Sequence, residues 1–299
     1  MSSLSPRLRG TIEISIASMG FGFLGVFGKM AFNSGLSVGE FMSYRFILAA
    51  SLLWIFLLLF RPQWVLLKPK QIFIAALLGI FGYAFFSTLY FTAIDGLSIT
   101  LAAMLLYTYP FWVNLFSHFF THDKVTRQEL GALIAASAGL LLLLWGHIEV
   151  KNILAVAAGL GSAISYAIYV MVSGRLQKDV RPISSALYVI TFGAIALSLF
   201  HHPSVAHVAE MTKLQGSTIL GIALICTVLP LTLELAALQK LKSNEVALLM
   251  MIEPVTAAIL GAVIFGDRLE ARQIIGALVI LAALTMNTLR AKKTPPGIA

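Results

Sequence analysis

One segment of this chain occurs twice, and that repeat constrains the fold more than any other feature. Residues 127–134 read RQELGALI, and residues 272–279, 145 positions later, read RQIIGALV. Pro110 and Pro254 stand in long apolar segments 144 positions apart. A period near half of the chain length predicts two copies of one unit, not a solenoid of many short repeats.

Composition indicates where these units reside. Of the 299 residues, 59% are hydrophobic and 11% are charged, whereas soluble domains carry roughly 25% charged residues. Several apolar segments reach the ~20 residues that a helix needs to cross a bilayer. Helices are expected because an open strand edge would leave backbone groups unsatisfied in lipid. The chain is therefore predicted to be an all-α polytopic membrane protein within the lipid bilayer.

Five apolar segments fit in each period, and an odd number of crossings turns the second copy upside down relative to the first. We predict ten transmembrane helices arranged as two inverted five-helix repeats, at residues 10–146 and 152–290. The predicted helices are 10–32, 38–60, 71–93, 97–120, 128–146, 152–173, 182–200, 217–238, 244–265 and 273–290.

The distribution of Lys and Arg predicts the orientation. With this segmentation, fifteen of the 21 basic residues lie in connectors on the side of the N-terminus, and four lie on the other side. Because basic connectors stay in the cytoplasm, both termini are predicted to be cytoplasmic. The net charge of +8 does not indicate nucleic-acid binding, because no basic helix or aromatic-basic platform stands outside the apolar segments.

The most specific family signal lies in the second copy. The stretches are Glu253–Gly261, Phe265–Leu269 and Arg272–Leu278. They resemble the second-copy signature of the drug/metabolite transporter superfamily, in its EamA-type branch of ten-span bacterial exporters. Asp267 stands where that family commonly has Glu.

The first copy resembles the same family more loosely. Tyr109–Phe111 keeps the proline, Gly20–Lys29 and Arg45 are similar to the opening segment, and His122–Lys124 departs from the usual end of the unit. The resemblance covers residues 10 to 290. A narrower resemblance is to the YddG-type aromatic amino acid exporters within that family.

The resemblance implies a single-chain carrier that works by alternating access, with a central cavity between the copies and no cofactor or metal. Members export amino acids, other metabolites or drugs. We predict a monomeric exporter of small metabolites, with amino acids, including aromatic or hydrophobic ones, as the expected substrates, in the inner membrane of a bacterium. The alternatives are a drug exporter of the same superfamily and an intramembrane enzyme, although no HExxH, phosphate loop or Cys-His arrangement is present.

Ionisable residues inside the spans are candidate functional groups, since each costs a few kcal/mol in hydrocarbon unless it is paired or faces water. Lys29 either reaches the interface or meets a substrate carboxylate at the cavity mouth. Arg45 is interpreted as a gating element held in an ion pair or bonded to helix-end carbonyls. Glu234, which occupies the place of Tyr90 in the second copy, is a candidate receptor for a substrate ammonium. Glu253 is a candidate proton-coupling carboxylate.

The two mid-span prolines are candidate gating elements. A proline removes one backbone donor and bends a helix, which creates a flexure point. Pro110 and Pro254 are therefore predicted to serve gating or packing and not specificity.

Aromatic residues recur at helical spacing and are candidate cavity walls. A tyrosine offers an apolar body with a polar tip, which suits amphipathic solutes. Helix packing or an interfacial belt is the alternative for each cluster. We expect the substrate site between spans 1, 3, 4, 6, 8 and 9. The candidates are Tyr83, Phe86, Tyr90, Tyr107, Tyr166 and Tyr169.

Overall fold

The computed structural model describes residues 4–121, 125–146, 149–176 and 179–291. The segment His122–Lys124, singled out in the first copy, lies outside these ranges. The described residues form ten long helical segments and no strand. They are α1 (Pro6–Asn33), α2 (Val38–Phe60), α3 (Pro69–Gly96), α4 (Ile99–Phe120), α5 (Arg127–Leu143), α6 (Ile153–Leu176), α7 (Pro182–His201), α8 (Lys213–Leu238), α9 (Ser243–Phe265) and α10 (Ala271–Ala291).

Nine of these ten helices in the described ranges are long and apolar enough to cross a membrane. The other, α5, has 17 residues, which is the lower end of the usual range for a span. Two helices, α1 and α8, begin four residues earlier than the apolar pattern predicts, because polar caps lie upstream of it. Ser5 accepts a hydrogen bond from the backbone of Leu8, and Thr212 accepts one from the backbone of Gln215.

Side chains of the two repeated RQ segments join α5 and α10 by hydrogen bonds. Gln128, in the first turn of α5, donates to the carbonyl of Asn287 near the end of α10, at 3.1 Å. Gln273, in the first turn of α10, donates to the carbonyl of Leu143 at the end of α5, at 3.3 Å. Equivalent helices of the two copies therefore run antiparallel, as an inverted pair requires.

The remaining helices pack in the same symmetric way. The contact of α1 with α8 has its counterpart in the contact of α6 with α3, and α1 meets α9 as α6 meets α4. The equivalent helices α2 and α7 also pack against each other. The chain is thus an all-helical membrane protein built from two similar five-helix units.

Both mid-span prolines follow an interruption of their helix. In α4 the helical segments are Ile99–Leu106 and Tyr109–Phe116, and in α9 they are Ser243–Leu249 and Ile252–Phe265. Pro254 cannot donate to the carbonyl of Met250, four residues earlier. That carbonyl accepts a hydrogen bond from the Ser18 hydroxyl of α1 at 2.8 Å.

The two breaks lie against each other. The hydroxyl of Tyr109, beside Pro110 in α4, donates to the carbonyl of Ala247 in α9 at 3.1 Å. A backbone carbonyl in the interrupted region of one copy is therefore satisfied by a side chain of the other copy. The α4 and α9 breaks form one joint at the centre of the bundle.

Candidate functional site

A cavity of ≈ 90 Å³ lies between the two five-helix units. It lies beside the α4–α9 joint, in the half of the bundle that is distant from residue 6. Four helices of the first unit and two of the second line it. The lining residues are Phe21, Leu24, Met42, Arg45, Tyr83, Phe86, Ser87, Tyr90, Phe91, Leu106, Tyr107, Tyr109, Tyr166 and Glu253.

Most of this wall is aromatic, and its rings pack on one another. The Tyr166 ring lies 4.9 Å from that of Phe86 and 4.8 Å from that of Tyr109, centroid to centroid. The Tyr83 ring lies 5.3 Å from that of Phe86, edge to face. Such contacts fix the rings in place, so the cavity has a preformed surface for an apolar group.

Two charged side chains line the same cavity from opposing units. Arg45 projects from α2 and is 3% exposed. Glu253 projects from α9, is half-buried and faces the hydroxyl of Tyr107. They are not within ion-pairing distance of each other. The expected ion pair of Arg45 is absent from the described residues, which corrects that part of its interpretation.

A second carboxylate lies behind the aromatic wall. Glu234 of α8 is fully buried, and its Oε1 accepts a hydrogen bond from the Tyr166 hydroxyl at 3.3 Å. Its Oε2 has no hydrogen-bond partner among the described residues. Glu234 thus reaches the cavity through Tyr166 and does not line it directly.

Five of the candidate cavity residues line the cavity: Tyr83, Phe86, Tyr90, Tyr107 and Tyr166. Two others do not. The Tyr169 ring stacks on that of Tyr166 at 5.8 Å but its side chain borders an apolar groove on the other face of α6. The Lys29 ammonium is exposed and lies 3.9 Å from the ring centroid of Phe265, because α1 carries it past the cavity towards the end of the bundle.

The structure adds residues that the sequence patterns did not indicate. Phe91 belongs to the wall, and Met42 shows that α2 contributes to it. Tyr109, which with Tyr107 flanks the Pro110 bend in the sequence, lines it as well. The predicted set of spans omitted α2 and included α8. Arg45 was the available signal for α2, since an arginine that deep in a span is costly unless it faces a polar space.

Ion pairs close the end of the bundle where the chain begins. Lys240 Nζ lies 2.8 Å from Glu13 Oε2, which joins the end of α8 to α1. Arg7 forms an ion pair with Glu245, which joins α1 to α9. These pairs link helices of different units, so any movement that opens this end must separate them.

Comparison with known proteins assigns the chain to a family. The profile described as the EamA-like transporter family matches twice, at residues 8–145 and 153–289. The chain belongs to the EamA-like transporter family. The two matches of the EamA profile fall on the two units that pack antiparallel.

Curated relatives of this EamA protein are transporters. It is 27% identical to the uncharacterized transporter YcbK of Bacillus subtilis, over 98% of this chain and 97% of that protein. It is 29% identical to the threonine/homoserine exporter RhtA of Escherichia coli, over 69% of this chain and 68% of that protein.

A solved crystal structure shares the fold of the EamA protein. The two superpose with a TM-score of 0.78 over 96% of this chain and 99% of the other, at 14% sequence identity. The all-helical fold is therefore known from an experimental structure.

Proposed function

We propose that this EamA protein exports amino acids across the cytoplasmic membrane by alternating access. The observation that carries the proposal is the cavity between the two units, which combines aromatic walls with the opposite charges of Arg45 and Glu253. A free amino acid offers a carboxylate, an ammonium and a side chain, and this wall has a complementary group for each. The threonine/homoserine exporter activity of the relative RhtA supports the same substrate class.

Alternating access would proceed by rocking of the two units, taken as residues 10–146 and 152–290. The cavity of ≈ 90 Å³ is smaller than the roughly 300–1,000 Å³ of typical ligand sites, so admission of substrate requires the units to separate. The joint at Pro110 and Pro254 is a suitable pivot, because interrupted helices bend without loss of further hydrogen bonds. Opening towards the N-terminal end would separate Glu13 from Lys240 and Arg7 from Glu245.

Proton antiport through Glu253 is the proposed driving force. A carboxyl group that lines the cavity and has no ion-pair partner within the described ranges can exchange a proton when the cavity opens to either side. A bound ammonium and a bound proton would exclude each other at Glu253, which couples their opposite movements. With both termini in the cytoplasm, as the charge bias favours, this exchange would use the inward proton gradient for export.

Purified protein in proteoliposomes tests the proposal. Radiolabelled L-threonine, L-homoserine and L-phenylalanine are loaded inside, and efflux is followed with and without a proton gradient. We expect saturable, gradient-stimulated efflux of at least one of them. Transport of a cationic dye such as ethidium with no efflux of any amino acid would overturn the amino acid assignment and favour the drug-exporter alternative.

A further inference from the structure

Arg45 is a buried charge that has no counter-ion among the residues that the structure describes. Its side chain is 3% exposed, and its Nε has no hydrogen-bond partner in that part of the chain. None of the ion pairs within residues 4–121, 125–146, 149–176 and 179–291 includes it. Its guanidinium carbon lies 5.0 Å from the ring centroid of Phe46. A ring face offsets only a small part of the several kcal/mol that burying an unpaired ion costs.

The position of Arg45 indicates what would compensate for that cost. It lines the cavity on α2, while Glu253 lines it on α9 without forming an ion pair with it. The rings of Tyr83 and Phe86, whose centroids lie 5.3 Å apart, line the same cavity. Two opposite charges held apart across one cavity suit a ligand that carries both signs at its own two ends.

We propose that Arg45 is the receptor of the substrate carboxylate, so that the substrate lies with its carboxylate at α2 and its ammonium towards Glu253. Arginine suits this role better than lysine, because its planar fork of donors binds both oxygens of a carboxylate. The proposal deepens the proposed function and rests on it. It assigns a ligand group to a residue that the sequence predicted to be a gating element.

The assignment predicts that Arg45→Gln loses recognition of the substrate carboxylate only. Binding of the amino acid that the wild type transports is measured in detergent by competition with its own amide and its own decarboxylated amine. We expect the wild type to bind the amino acid at least about tenfold more tightly than either analogue, as for a charge-assisted hydrogen-bonded pair. In Arg45→Gln the three ligands should bind within about threefold of one another, because the contact that distinguishes them is gone.

Two further variants keep the test interpretable. Arg45→Lys retains the charge and should keep a reduced preference for the carboxylate, which serves as the test if Arg45→Gln does not fold. Arg61→Gln removes an arginine at the far end of α2 that lies over the Trp64 ring, 5.7 Å from its centroid and outside the cavity, and should leave the preference unchanged.

The outcomes separate this inference from the proposed function. If the wild type transports an amino acid and Arg45→Gln, or Arg45→Lys where only that variant folds, retains the full preference for the carboxylate, the role of Arg45 is wrong and the function stands. If the wild type binds no amino acid, the proposed function fails and the assignment of Arg45 fails with it.

Discussion

The two five-helix units share a scaffold and differ in chemistry. Their helices occur in the same order, pack in the same pairs and break at equivalent prolines. The charged residues of the site, in contrast, stand where the other unit has an uncharged one, at a spacing of 144 positions. These pairs are Arg45 and Val189, Glu234 and Tyr90, and Glu253 and Tyr109.

This difference shows how a repeated unit acquires a directional site. Two identical inverted units would present the same groups to the cavity from both sides, and a ligand with unlike ends would have no preferred orientation. Arg45 in one unit and Glu253 in the other give the cavity a positive and a negative wall. The scaffold therefore comes from what the units share, and ligand recognition from what they do not.

The largest effect is expected at Glu253, the carboxylate that lines the cavity and whose equivalent is Tyr109. Glu253→Gln keeps the size of the side chain but carries neither charge nor a transferable proton. We expect proton-driven efflux in proteoliposomes to fall by about tenfold or more, as for the loss of a charge-assisted contact. The residual flux should be equal with and without a gradient.

A matched control for that variant is Glu270→Gln, which removes a carboxylate that pairs locally with Arg272. It should transport as the wild type does. If Glu253→Gln efflux still responds to the gradient, the coupling role of Glu253 is wrong.

The equivalent glycines of the repeated segments differ in their surroundings at the α5–α10 contact. A Cβ added at Gly276 would lie 2.5 Å from the carbonyl oxygen of Gly139, whereas one added at the equivalent Gly131 meets nothing within 4 Å. We expect Gly276→Ala to destabilise the protein by about 1–3 kcal/mol through overpacking. Gly131→Ala should be neutral or stabilising by up to about 1 kcal/mol, because alanine favours a helix.

Thermal unfolding in the same detergent measures both glycine variants. Equal unfolding temperatures for the two would contradict the close approach of α5 and α10.

A smaller effect is expected where the aromatic wall meets the second carboxylate. Tyr166→Phe removes the hydroxyl that donates to Glu234 and keeps the ring that lines the cavity. It should weaken substrate binding by several-fold, as for the loss of a hydrogen bond that contributes about 1 kcal/mol. Tyr169→Phe is the matched control, because Tyr169 stacks on Tyr166 and lies outside the cavity. Isothermal titration with the transported amino acid compares the substrate affinities of the two variants. Equal losses of affinity would assign Tyr166 to packing alone.

The smallest effect is expected at the closed end, where Glu13 of α1 holds Lys240. Glu13→Gln weakens an ion pair that is about a quarter exposed on each side, so its contribution is modest. We expect a cysteine introduced at Ser243, which borders the polar recess there, to react about two- to fivefold faster with a soluble maleimide, since such a pair contributes up to about 1 kcal/mol.

The native Cys226 is buried and does not interfere with that measurement. The Ser243→Cys variant that also carries Glu270→Gln serves as the reference. No change in rate with Glu13→Gln would show that the pair does not hold this end closed.

Much of this architecture follows from the sequence, because apolar length and an odd-spanned repeat leave few alternatives in a bilayer. The breaks at Pro110 and Pro254 were predictable from the missing backbone donor. That Arg45 lacks an ion-pair partner among the described residues could not be predicted, since this depends on which side chains α3 and α9 place opposite it. Tyr166 and Tyr169 lie three positions apart, and only the packing of α6 determines that the first lines the cavity and the second does not.

The antiparallel pair of α5 and α10 also bears on how the chain is made. The two helices join through groups near both of their ends, yet the ribosome completes α5 long before it begins α10. The membrane must therefore hold the early helices with the surface around Gly139 covered by lipid until α10 arrives. The contact between α5 and α10 thus forms only after the helices between them have been made, and separately expressed halves of the chain would have to associate through this same contact.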